Sequence, residues 1–135
     1  MEWLEKLIEK YYDFLKSKTI IETIPESDWI ILHTPYIGLY NDTISISIKK
    51  DDDKIVMSDD GIALKNLMIN ILDKKYEKLL RSIIFGYDVK IEYNKELMVY
   101  ATEEDFAQKL YNLISAIQEI HTTAAVLYTD HILNS

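Results

Sequence analysis

The stretch NDTISISIKKDDDKIVMSDDG, residues 41–61, decides the fold. Ile44, Ile46 and Ile48 alternate with Ser45, Ser47 and Lys49. A strand over 43–50 therefore buries one face and wets the other. Asp51-Asp52-Asp53 interrupts the pattern, and KIVMS (54–58) resumes it. A two-residue reversal at Asp51-Asp52 sets Ile48 opposite Ile55 and Ile46 opposite Met57, which gathers the apolar residues on one face. A slip of one residue is the alternative. Either way Asn41-Asp42, before the first strand, and Asp59-Asp60, after the second, fall at the same end of the sheet.

Upstream, DWIILHT (28–34) reads as a buried strand that ends at Pro35, which has no N–H to offer a ladder. Antiparallel pairing with 43–50 brings Thr34 to the same rim. The apolar loop PYIGLYND (35–42) then hangs over it. TIIETI (19–24) is β-branched and suits a short strand. Over residues 2–17, Trp3, Leu4, Leu7, Ile8, Tyr11, Phe14 and Leu15 recur at three- and four-residue spacing. Glu2, Glu5, Lys6, Glu9, Lys10 and Asp13 fill the opposite side. The spacing predicts an amphipathic helix with one buried stripe.

Downstream, Ile62, Leu64, Leu67 and Met68 suggest a short helix after Gly61. Asp73 opens another, carrying Tyr76, Leu79, Leu80, Ile83 and Ile84, with Gly86 as its C-terminal stop. YDVKIEY (87–93) and ELMVYA (96–101) flank Asn94-Lys95 as a hairpin. Thr102 and Asp105 have the spacing of a capping box. Phe106, Leu110, Leu113, Ile117, Ile120 and Ala124 continue the stripe of a last helix of about 25 residues, or roughly 37 Å. The fold class is α+β. An antiparallel sheet, a three- to four-stranded meander plus a C-terminal hairpin, is flanked by the N-terminal helix, two short central helices and the long C-terminal helix. One domain spans 1–135, with a helical extension over 121–135.

A chain of 135 residues can build a core without staples. There is no cysteine, which excludes disulfides, thiolate zinc sites and cysteine nucleophiles. No apolar run reaches membrane-span length, and the N-terminal residues resemble neither a signal nor a transit peptide. The expected location is the cytoplasm. The formal net charge of −8 argues against direct nucleic-acid binding and allows a basic protein partner.

The rim gathers Thr34, Tyr36, Asn41, Asp42, Ser58, Asp59 and Asp60 as candidate binding residues. Converging carboxylates hold divalent cations or do acid–base work, so Asp42, Asp59 and Asp60 are the candidates for metal binding or catalysis. The structural reading of the same residues is stronger. Aspartate before a helix accepts backbone N–H bonds, and glycine supplies positive φ at a tight turn. No Glu-x-x-His or EF-hand spacing accompanies the acids. His33, inside a strand, reads as packed or hydrogen-bonded, and His121 and His131 make no ligand pair. No cofactor is expected.

The runs WIILHTPY (29–36), NDTISISIKK (41–50) and VMSDDG (56–61) resemble the DUF1828 family, and so does ELMVYATEEDFAQKLYNLISAI (96–117). The family pattern falls on Thr34, Pro35, Asn41, Asp42, Asp59, Asp60, Gly61, Thr102, Phe106, Gln108 and Asn112. Where the family loop carries charged residues, this chain has Gly38-Leu39-Tyr40, which lowers the enzyme reading. The resemblance implies a protein of bacteria, their phages or mobile elements, and supplies no activity. The order of elements is also similar to the type III secretion chaperone fold, a likeness of fold alone.

The leading expectation is a non-enzymatic acidic module that binds a protein, in a phage or mobile-element setting as an inhibitor of a host defence protein. Self-association through the C-terminal helix is a second partner expectation. The alternatives are a metal-dependent enzyme of the phosphodiester class at the Asp42/Asp59/Asp60 rim, and a chaperone-like dimer that binds an extended peptide.

Overall fold

The computed structural model describes residues 1–38, 42–65, 74–92 and 94–133, with backbone alone at 74–77, 127, 128 and 130–132. In chain order the elements are α1 (Glu2–Ser17), β1 (Ile20–Thr23), β2 (Ile30–Ile37), β3 (Thr43–Asp51), β4 (Lys54–Ser58), α2 (Ile62–Lys65), α3 (Lys74–Gly86), β5 (Lys90–Ile91), β6 (Leu97–Ala101) and α4 (Phe106–Leu133). The strands form one six-stranded sheet in the order β1-β2-β3-β4-β6-β5, with every neighbouring pair antiparallel. The meander and the C-terminal hairpin therefore share one sheet.

The alternation on β3 sorts the two faces. Ile44 and Ile46 of β3, Met57 of β4, and Leu97, Val99 and Ala101 of β6 are buried. They pack with Ala63 and Leu64 of α2, Leu80 and Ile84 of α3, and Leu113, Ile117 and Ile120 of α4. Ser45, Ser47 and Lys49 project to the other face, which the core cluster does not use. There Lys49 lies 5.0 Å over the Trp29 ring and Lys90 lies 5.3 Å over Tyr100.

The hairpin turns one residue later than the sequence suggests. Asp51 pairs with Lys54, so Asp52-Asp53 is the reversal, and Ile48 faces Met57 rather than Ile55. Asp52 takes the positive φ, 56°, that the turn requires, and aspartate tolerates it better than most residues. Moving a turn by one residue shifts the register by two, so each side chain keeps its face.

Strand β2 does not stop at Pro35. It continues to Ile37, with a register shift between the His33–Ser45 and Ile37–Thr43 pairs. The buried Thr34 bridges the irregular step. Its hydroxyl donates to the Ile44 carbonyl (2.7 Å) and accepts from the Tyr36 N–H (3.3 Å). Pro35 sits in this bulge, where its missing N–H interrupts no regular ladder.

Helix α1 spans the residues expected, but its stripe is not buried. No residue of α1 is buried. Trp3 is 67% exposed, Tyr11 53% and Phe14 56%. Periodicity establishes that a helix has an apolar side, not that this chain supplies the cover.

In α3, Gly86 lies within the last turn, and the left-handed residue that turns the chain away is Asp88 (φ 57°). Strand β5 is shorter than residues 87–93 suggest. The capping box at Thr102 is reciprocal: the Thr102 N–H donates to Asp105 Oδ1 (2.6 Å), and the Asp105 N–H donates to Thr102 Oγ1 (3.3 Å). Helix α4 has 28 residues, and Val126 and Leu133 near its end are exposed. Leu67, Met68 and Asp73 lie outside the described residues, as does the Tyr76 side chain. Among the described residues, no helix is long and apolar enough to cross a membrane.

Candidate functional site

The rim forms as the hairpin dictates, but the turn divides it. Asp59 follows the last residue of β4 and is buried. Its Oδ1 accepts the N–H groups of Gly61 (2.8 Å) and Leu97 (2.9 Å), and its Oδ2 accepts the N–H of Ala63 (2.9 Å). One carboxylate thus caps the start of α2 and pins β6 to the end of β4. Burial pushes the Asp59 carboxyl up from the ordinary aspartate value, and the three backbone donors pull it partly back.

Asp60 leaves in the opposite direction. It adopts a φ of 58°, followed by Gly61 at 77°. Its Oδ2 accepts from Ser47 Oγ (2.6 Å), a hydroxyl on the face away from the helices. Its N–H donates to Ser58 Oγ (3.0 Å), and Ser58 donates onward to Glu96 Oε2 (3.0 Å). Asn94 Nδ2 completes the row at Glu96 Oε1 (3.0 Å). Ser47 and Ser58 are direct cross-strand partners, so their hydroxyls sit side by side.

On the helix side, a cavity of about 230 Å³ is lined by Gly38, Asp42, Thr43, Asp59, Ile117 and His121, among others. The structure therefore brings Asp42 and Asp59 to one cavity and sends Ser58 and Asp60 to a separate polar row. Thr34 serves the bulge, Tyr36 is partly exposed on β2, and Asn41 lies outside the described residues. Gly38 closes its loop by donating its N–H to the Asp42 carbonyl (2.8 Å).

His121 is the residue of this cavity that sequence reasoning left out. Burial holds its imidazole below the ordinary histidine value. Its spacing, four residues after Ile117 and three before Ala124, already placed it on the inward stripe of α4.

His33 uses both ring nitrogens: Nδ1 bonds Ser45 Oγ (2.8 Å), and Nε2 bonds Glu22 Oε1 (2.6 Å). This row fastens edge strand β1 across β2 to β3. His33 and Ser45 are direct partners, and Glu22 is diagonal to His33 across the pair, so the register carries the signal.

The chemistry open to the rim follows from these bonds. Both Asp59 oxygens are committed to backbone donors, and Asp60 faces away. Among the described residues no three histidine, aspartate or glutamate side chains come together as a metal-ligand set. At the other end of the hairpin, Asp52, Asp53, Glu103 and Glu104 border an open basin, with Lys50 paired to Glu103 at 2.8 Å.

The chain matches the family described as domain of unknown function DUF1828 over residues 34–120. That is more than half of its length, and the chain belongs to this family. The matched span begins at Thr34 and ends at Ile120, so α1 and β1 precede it. No curated protein and no solved structure matches the chain.

Proposed function

We propose that this chain is a non-enzymatic protein-binding module. The observation that carries the reading is the arm formed by α1 and β1. Its apolar side chains stand in solvent on the helix, and Ile20 and Ile21 do so on opposite faces of the edge strand. A 16-residue helix is marginal in water on its own, and its stability comes mainly from burying such a face. An apolar surface of this extent outside the core marks an association site.

Charge supports a division of labour. Residues 1–18 carry Glu2, Glu5, Glu9 and Asp13 against Lys6, Lys10, Lys16 and Lys18, which sum to zero, so the net −8 resides on the rest of the chain. The arm is neutral and apolar; the body favours a basic client. In a phage or mobile-element setting the concrete form is an inhibitor that offers its acidic end, around Asp52, Asp53 and Glu104, to a basic host defence protein. Affinity capture from a bacterial host lysate at moderate salt tests this. The expected result is a basic protein retained by the native chain and lost when Leu7 and Tyr11 become glutamate, or when those three acids become amides. A captured set indifferent to both changes overturns the reading.

A further inference from the structure

We infer that the α1 stripe is covered by the α1 of a second copy of this chain, with the two helices antiparallel. The inference rests on reading the arm as an association surface and names what occupies it. Three observations point to a second copy.

The first is the spacing. Leu4, Leu7, Tyr11 and Phe14 follow the 3-4-3 spacing of a coiled-coil seam, and each is exposed. An antiparallel pair centred on Glu9 sets Leu4 opposite Phe14 and Leu7 opposite Tyr11. Each inner contact then joins an aliphatic side chain to an aromatic one. A parallel pair would stack Tyr11 on Tyr11 and Phe14 on Phe14.

The second is charge. The first turn of α1 carries Glu2 and Glu5, and its end carries Lys16 and Lys18. Antiparallel pairing places each acidic end beside the partner's basic end and opposes the helix dipoles. The neutrality of residues 1–18 means that self-pairing brings together arms of no net charge, although each whole chain carries −8. A basic client, by contrast, gains no electrostatic attraction from this surface.

The third is area. With about 200 Å² per large side chain, Trp3, Leu4, Leu7, Ile8, Tyr11 and Phe14 leave roughly 600 Å² exposed per copy. Complete coverage of the stripe in both copies would bury about 1,200 Å², the lower bound of a specific stable interface. The end of α4 offers less among the described side chains, a shallow groove at Ala125, Val126, Thr129 and Leu133.

Sedimentation equilibrium of the full chain tests the pairing. The native protein is expected to be a dimer at micromolar concentration. Leu7→Glu with Tyr11→Glu is expected to give a monomer that keeps a cooperative transition of its sheet and core, because neither residue belongs to the core cluster, while the helical signal of α1 weakens with the loss of its cover. The absence of native cysteine permits a second test that does not disturb the stripe. Lys10→Cys, at the border of the polar side next to Tyr11 and one residue from the two-fold axis, is expected to form a disulfide-linked dimer under mild oxidation. Ser17→Cys, on the same border of the helix but roughly 24 Å from its own copy in the antiparallel pair, is not. A monomeric native protein overturns the pairing, as does a dimer that survives the double substitution or preferential cross-linking at position 17. A native monomer whose stripe still captures a different protein overturns the pairing alone. A stripe that supports neither kind of association removes the arm as an association surface as well.

Discussion

Asp59 and Asp60 are adjacent in the chain, yet their carboxylates serve opposite faces of the sheet. Asp59 gathers three backbone N–H groups beneath the helices, and Asp60 crosses to the Ser47 hydroxyl on the other side. The cause is backbone: Asp60 and Gly61 both take positive φ, which reverses the chain within one residue.

The two positions should therefore differ sharply in cost. Asp59→Ala leaves three N–H groups without their acceptor in a buried place, at about 1 kcal/mol or more each, so roughly 3 kcal/mol in all. Asp59→Asn keeps one oxygen and should lose less. Asp60→Gly removes one part-buried hydrogen bond, from the buried Ser47 hydroxyl, which costs about 1 kcal/mol, but relieves a left-handed residue, so its net cost should stay well below that of Asp59→Ala. Urea unfolding of the three variants decides it. An Asp59→Ala cost as small as that of Asp60→Gly would remove the capping role.

Acid should weaken the fold through His121. Burial lowers its folded pKa, while the unfolded imidazole titrates near its ordinary value of about 6.5. Below that pH the unfolded state binds the extra proton, so stability falls as pH drops from about 7 toward the folded value. Asp59 has the opposite sign: its raised pKa lets the folded state take a proton first, which favours the fold as pH falls toward the ordinary aspartate range. Urea midpoints at pH 7.5 and 5.5 should therefore differ in the native chain and differ less in His121→Asn. An unchanged pH dependence in that variant would show that the loss originates elsewhere.

The three glycines make a graded test. A Cβ on Gly38 would stand 3.0 Å from His121 Nδ1 and 3.2 Å from Ile44 Cγ1, both packed, so Gly38→Ala should cost about 1–2 kcal/mol. Gly61→Ala meets only the flexible Lys65 side chain, but its φ of 77° costs about 1 kcal/mol. Gly86→Ala meets nothing within 4 Å inside a helix and should gain up to about 1 kcal/mol. Thermal unfolding gives the order, and a stabilising Gly38→Ala would contradict the packing at His121.

Much of this was legible in the sequence. Alternation on 43–50 fixed which residues face the core, and parity survived a misplaced turn because three successive aspartates give no cue to which two reverse the chain. The convergence of Asp42 with Asp59 followed from that parity. The parting of Asp60 did not, since the sign of φ is set by the whole turn rather than by residue type. Pro35 inside β2 was hidden for a related reason: proline marks an interrupted ladder, and only the Thr34 bonds reveal a bulge rather than an end. The bare stripe of α1 was beyond periodicity, which reports amphipathicity and not what covers it.

The row Glu22–His33–Ser45 gives the last prediction, because β1 has only one neighbour in the sheet. An edge strand with both faces open frays unless something besides its four-residue ladder fixes it. His33→Ala removes both bonds at once, and the half-exposed setting limits the global cost to about 1 kcal/mol. The local effect should be larger. Amide exchange at Ile20–Thr23 should accelerate well beyond that at Ile46 and Ser47, whose ladder lies between β2 and β4. Glu22→Gln keeps a hydrogen-bonding partner for Nε2 and should fall between the native chain and His33→Ala. Equal acceleration in β1 and β3 would mean that His33 supports the sheet as a whole rather than clasping its edge.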